Sequence, residues 1–216
     1  MADDIQRLFE QNRAWTARIE KTDPGFFKRL SKGQSPKYLW IGCADSRVPE
    51  TQLLGLEPGG VFVHRNVANV VLEEDINCMS VIQFAVEVLK VRHIMVCGHY
   101  GCAGVKAGMD QNTEGPVDLW LTDMRRLYDE HKDSLSELDP IQAQSKMCEL
   151  NVQLGVRTIA DTATLRDAWA RGQRVKVHGW VYDLRDGRIK DLDFMVASSE
   201  QAVELRKNQS QESSHK

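Results

Sequence analysis

The heptapeptide Ile41-Gly42-Cys43-Ala44-Asp45-Ser46-Arg47 puts a thiol, a carboxylate and a guanidinium within five positions, directly after the apolar run Tyr38-Leu39-Trp40-Ile41. An apolar, β-favouring run that stops at glycine reads as the carboxyl end of a buried strand, which is where open α/β sheets place their ligands. A second stretch has the same form: Arg92-His93-Ile94-Met95-Val96-Cys97-Gly98 runs into His99-Tyr100-Gly101-Cys102. Cys43, His99 and Cys102 together make the donor set of a metal site. Thiolate sulfur mixed with imidazole nitrogen favours zinc over magnesium or calcium, and three protein ligands leave a fourth position open for water, as in a catalytic centre. His-x-x-Cys alone is also the mark of a core thiol beside a hydrogen-bonded loop histidine; the separate Cys-Ala-Asp-Ser-Arg stretch favours the metal. Asp45 and Arg47 fit either a pair acting at that metal or an ion pair that only stabilises the loop.

For these donors to meet, the two strand ends must be neighbours in one sheet. The chain alternates strands with helices. Residues 3–21 read as an amphipathic helix through Ile5, Leu8, Phe9, Trp15 and Ile19, lying on its own domain or on a neighbouring subunit. Asp23 and Pro24 read as cap and first position of a short helix, 25–30, and 31–36 as a loop. Strands are expected at 38–42, 61–65, 92–98 and 175–182, and helices at 52–56, 76–90, 117–132, 140–160 and 162–171, with a further helix opening after Gly104. Asp186-Gly187 signals a hairpin that returns 188–195 antiparallel, and a polar tail, frayed at its end, follows Ser198. The fold class is therefore α/β: a mostly parallel sheet with one antiparallel edge strand, flanked by helices, with a long N-terminal helix.

At 216 residues the chain is long enough for one sizeable core, and one domain over 1–216 is expected, with 1–30 a helical arm and 199–216 the polar tail. A formal charge of −3 with scattered basic residues argues against a nucleic-acid partner. There is no basic segment followed by an apolar stretch at the N-terminus, and no run approaches a membrane span, so a cytoplasmic protein with no membrane partner is expected. Five cysteines without a secretory signal point to metal binding or catalysis rather than disulfides, with Cys78 and Cys148 as buried small apolar residues.

Cys43-Ala44-Asp45-Ser46-Arg47 with His99-Tyr100-Gly101-Cys102 resembles the paired signature of the β-class carbonic anhydrases, and the likeness runs from about Leu8 to Phe194. The resemblance implies Cys43, His99 and Cys102 as zinc ligands, Asp45 and Arg47 as a catalytic dyad, and reversible hydration of carbon dioxide to bicarbonate and a proton by a zinc-bound hydroxide. Ala103, where many members carry glycine, is a small departure that bears on loop conformation. Trp40, Arg65 and Tyr182, with Gly42 and Val48, match the type II subgroup, in which the first three bind bicarbonate away from the zinc. Read by themselves, these are two core aromatics and a surface or interface cation. In the implied switch, bicarbonate there favours Asp45 leaving Arg47 to become a fourth zinc ligand. The resemblance also implies Gln34 in the substrate pocket and a dimer that assembles to a tetramer. His64 reads as a structural histidine rather than a proton shuttle, Glu50 as support for the Arg47 loop or the pocket, and Tyr100 as a packing residue. Two rival readings are a carbon disulfide or carbonyl sulfide hydrolase on the same zinc scaffold, and a zinc or thiol redox module using Cys97 and Cys102.

Overall fold

The structure, a computed structural model, describes residues 4–214. It divides into two compact units, Met1–Ser35 and Pro36–Lys216. In the first, helix α1 (Asp4–Thr22) is followed by α2 (Phe26–Leu30), and Phe27 stacks edge-on to both Trp15 and Phe26. The expected cap at Asp23 and Pro24 is corrected. Gly25, at φ 79°, takes the cap position, because a left-handed residue reverses the chain there at no cost only without a side chain. Asp23 is paired with Arg29 instead.

The second unit runs β1 (Tyr38–Cys43), α3 (Glu50–Leu53), β2 (Val61–Asn66), α4 (Ile76–Gln83), β3 (His93–His99) and α5 (Ala103–Asp110). Next come α6 (Pro116–Trp120), α7 (Thr122–Glu130), α8 (Lys132–Ser136), α9 (Pro140–Ala160), α10 (Ala163–Ala170), β4 (Lys176–Asp183), β5 (Arg188–Val196) and α11 (Ser199–Ser214). The sheet order is β2-β1-β3-β4-β5, parallel except for the antiparallel β4–β5 pair, as the alternation of strands and helices predicts. Alternate residues of each strand face opposite sides. Leu39, Ile41, Ile94, Val96, Val177 and Val181 pack beneath α4, α9 and α10 in the main core. Trp40, Met95, Cys97 and Tyr182 pack together on the other face.

Three expected elements differ in detail. The helix expected over 76–90 is α4 followed by a wider turn, Phe84–Val88, where Leu89 N–H reaches back five residues to the Phe84 carbonyl at 3.0 Å. The helix expected over 117–132 is three short segments, α6 to α8. The polar tail expected after Ser198 is helical over Ser199–Ser214, as α11. Ser198 Oγ accepts the Gln201 N–H at 3.3 Å, and the Gln201 side chain reaches back to the Ala197 N–H at 2.8 Å, a near-reciprocal cap. Ala202 is then buried and Leu205 packs on the main core. Residues 215 and 216 of that expected tail, like residue 3 of the first helix, lie outside the described residues.

Candidate metal centre

Cys43 is the last residue of β1 and His99 the last of β3, and because these strands pair in parallel their carboxyl ends meet. Cys102 follows three residues later, at the cap of α5. All three side chains are buried, and their ligand atoms lie within 4.8 Å of one another. The two sulfurs are 3.8 Å apart. Two sulfurs each about 2.3 Å from one ion at tetrahedral angles stand about 3.8 Å apart, so the spacing of these two sulfurs fits a tetrahedral zinc site. His99 is fully buried, its Nδ1 donates to the Tyr100 carbonyl at 3.2 Å, and its Nε2 has no hydrogen-bond partner. A buried imidazole nitrogen with no hydrogen-bond partner, beside two thiols, fits the chemistry of a metal ligand.

The thiols bear this out. The Cys102 S–H donating to Cys43 holds the Cys43 thiol down to about 4, helped by His99 and the Asp45 and Ala68 N–H groups against the opposing effect of burial. Cys102 is pushed up by the same bond and by burial. A pair in which one thiol is acidic and the other held protonated suits a cation, whose binding would displace the second proton. Elsewhere burial raises the thiols: Cys78 and Cys148 to about 12, with Cys97 also well up. That contrast separates the centre from a second close group, His64, Asp75 and Cys78. There Cys78 stays protonated, Asp75 Oδ1 caps α4 through the Asn77 N–H at 3.0 Å, and the Asn66 amide nitrogen lies 3.2 Å from His64 Nε2. His64 is thus a satisfied structural histidine.

Asp45 Oδ1 accepts the Arg47 backbone N–H and Nε–H, both at 2.9 Å, and Oδ2 accepts Nη2–H at 2.7 Å. This fork holds the Asp45 carboxyl far below its ordinary range. Its Oδ2 stands 3.7 Å from His99 Nε2, beside the ligand atoms. Arg65, on β2 in register with Gly42, donates to the carbonyls of Cys43 at 2.9 Å and Asp45 at 2.5 Å, so it ties down the loop that carries both residues. Glu50 lies 3.6 Å from the Arg65 guanidinium, which places it with Arg65 rather than with Arg47.

Trp40 and Tyr182 share one buried cluster with Val48. The Trp40 indole Nε1 is buried with no hydrogen-bond partner. Tyr182 pairs with His99 across β4 and β3, and its carbonyl accepts the Tyr100 N–H at 3.0 Å. Gln34 is exposed and belongs to the N-terminal unit.

Sequence reasoning missed Ala68, whose φ of 63° lets its N–H reach Cys43, because nothing about alanine signals a left-handed conformation. It also missed Glu149 and Asn151. Their signal was a carboxylate and an amide set within the apolar stretch Met147-Cys148-Glu149-Leu150-Asn151-Val152.

A profile of the carbonic anhydrase family matches residues 38–189. A carbonic anhydrase of Emericella nidulans is 46% identical over 189 residues, covering 87% of this chain and 83% of that protein. Among solved structures, a Coccomyxa β-carbonic anhydrase in complex with acetazolamide aligns with a TM-score of 0.88 at 42% identity, over 94% of this chain and 91% of the other. A structure from work on two tetrameric β-carbonic anhydrases of the ascomycete Sordaria macrospora aligns with a TM-score of 0.86 at 40% identity, over 90% of this chain and 99% of the other.

Proposed function

The chain belongs to the β class of the carbonic anhydrase family and is an enzyme of carbon dioxide hydration, and from that premise we propose that Cys43, His99 and Cys102 hold the zinc on which the reaction depends. The observation that carries this is the convergence of two buried thiols at tetrahedral spacing with an unsatisfied imidazole nitrogen. Zinc bound there supplies a Lewis acid that lowers the pKa of its water towards neutrality, so that a nucleophile exists at physiological pH. Arg47 keeps Asp45 ionised and therefore acceptor-only. Asp45 then accepts a hydrogen bond from the attacking water's O–H and aims its lone pair at the carbon of carbon dioxide. Arg65 keeps the Cys43 and Asp45 carbonyls in place while that happens. Gln34 is proposed in the substrate pocket on resemblance alone.

The test is a stopped-flow hydration assay on protein of measured metal content. One zinc per chain with rapid hydration is expected, and Cys43→Ser should lose both; full zinc content in that variant would remove Cys43 from the ligand set. No observation favours the hydrolase, and the fully buried, protonated Cys97 gives the redox module no support.

A second part of the proposal concerns bicarbonate. The unpartnered Trp40 N–H, the Tyr182 phenol and the Arg65 fork are donors suited to a small oxyanion. Bicarbonate there would draw Arg65 from the Cys43 and Asp45 carbonyls and free the loop, so that Asp45 would leave Arg47 and join Cys43, His99 and Cys102 in holding the zinc. Tyr182→Phe should weaken inhibition by bicarbonate and leave hydration at high pH close to that of the unmodified enzyme. Inhibition of unchanged strength would sink this part alone. The rest of the reading is a single catalytic domain with a helical arm, assembling as dimers into a tetramer like that of the Sordaria relative. Five free, buried cysteines suit a reducing compartment such as the cytoplasm.

A further inference from the structure

Helix α9 packs against β3 and α5, the elements beside His99 and Cys102. Gln144 donates its amide Nε2–H to the Cys102 carbonyl at 3.0 Å. Asn151 donates Nδ2–H to the Ala68 carbonyl at 2.9 Å, and the Ala68 N–H in turn serves the Cys43 sulfur. Between these two residues stands Glu149, whose Oε1 accepts the Tyr100 O–H at 2.7 Å and the Lys190 ammonium of β5 at 3.0 Å. Lys146 lies 3.6 Å from its other oxygen. A carboxylate only 18% exposed needs such partners, and it has three.

Tyr100 is the residue to which this network matters. Its carbonyl takes the His99 Nδ1–H, which leaves Nε2 facing the thiols. The next residue, Gly101, has φ 69° and nothing within 4 Å of where a Cβ would stand, so the loop has no side-chain support there. The Tyr100 carbonyl is held through the rest of Tyr100: its N–H on the Tyr182 carbonyl, and its ring, which packs against both hydrophobic clusters and is fixed at the phenol by Glu149 and, at 3.4 Å, by Lys190.

We propose that Glu149 is a positioning residue of the metal centre: by anchoring Tyr100 it fixes the carbonyl that orients His99, and so sets how long the centre keeps its zinc. The inference rests on Cys43, His99 and Cys102 being the zinc ligands and goes beyond it, because Glu149 acts only through Tyr100. Groups bonded directly to a metal ligand change metal affinity by roughly 10–100-fold when removed, and Glu149, one residue further out, is expected at the low end of that range.

The test follows release of zinc from holoenzyme to a chromogenic chelator. Zinc is first quantified in the unmodified protein, and an absence of stoichiometric zinc there would strike the ligand assignment itself, before any variant is compared. Glu149→Ala and Tyr100→Phe should each release zinc about tenfold faster or more. Glu149→Gln keeps an oxygen to accept the Tyr100 O–H and should stay close to the unmodified rate. Denaturation of the zinc-free proteins is measured alongside, with midpoints of all variants expected to agree. Unmodified release in Glu149→Ala and Tyr100→Phe overturns the proposal. So does fast release in Glu149→Gln, or release that quickens only in step with lost stability of the zinc-free chain, which would make Glu149 a packing residue.

Discussion

Gly42 shows how tightly single atoms are placed at the end of β1. A Cβ on this residue would stand 2.1 Å from Trp40 Nε1, so only glycine lets the indole lie back across its own strand. The indole N–H is thereby buried without a partner, which costs on the order of 1–3 kcal/mol. That cost is understandable if the N–H is kept for an anion. Gly42→Ala should displace the ring and lower stability by about 1–3 kcal/mol in urea denaturation. It should also weaken bicarbonate inhibition while zinc content stays at one per chain. Inhibition of full strength in that variant would take Trp40 out of the pocket. The Asp45 fork is, by contrast, a local habit of its tripeptide. Asp183 and Arg185 repeat it bond for bond, with the backbone N–H at 2.9 Å, Nε–H at 3.0 Å and Nη2–H at 2.7 Å, and hold the Asp183 carboxyl at about 2. Asp45 differs from Asp183 in standing two residues from Cys43, a proposed zinc ligand.

Among the elements, β3 and β4 share a histidine pair far from the centre. His93 Nδ1 and His178 Nε2 are 3.0 Å apart, so one ring donates to the other and one proton serves the contact. Burial lowers both pKa values below the ordinary 6.5, with Lys176 adding to the effect at His93 and His93 adding to it at His178. The sign follows. Just below 6.5 the unfolded chain takes up protons that the folded chain refuses, so the stability due to this pair is present above 6.5 and lost as the pH falls towards the folded values. The denaturation midpoint of zinc-saturated protein should fall between pH 7 and 5, and His178→Gln should flatten that dependence. An unchanged slope would assign it to other groups. Helix α11 depends on its start: Ser198→Ala removes the cap and should cost about 1 kcal/mol in the same assay. No loss would mean that the Ala202 and Leu205 contacts alone hold the helix.

For the whole molecule, the question is what covers the N-terminal helix. No residue of α1 is buried, and Ile5, Leu8 and Phe9, at helical spacing, are 57%, 59% and 58% exposed. The main unit also presents Ile76 and Val88 at 83% and 60%. Surface of this kind on separate parts of one chain is expected to be covered in an assembly. Sedimentation should therefore give a mass well above the 24.5 kDa of one chain. Removing residues 1–35 should lower the assembly to a smaller species. A deletion that left the mass per assembly in proportion would show that the arm takes no part.

The sequence by itself determined the chemistry and the order of elements. Cys43, His99 and Cys102 suggest a soft metal set by residue type, Asp45-x-Arg47 and Asp183-x-Arg185 each close a fork between near neighbours, and alternating runs of strand and helix imply the parallel sheet, because residue type and local periodicity are written in the chain itself. Tertiary structure decided what distant residues do together. Only the pairing of β1 with β3 brings sulfurs 59 positions apart to 3.8 Å, only the packing of α9 across the sheet sets Glu149 behind Tyr100, and only the hydrogen bonds that Cys102 and its neighbours bring to Cys43 separate that acidic thiol from Cys78, which burial pushes up. Acidity and reach are properties of an environment, and a burial environment is assembled from segments that do not know of one another along the chain.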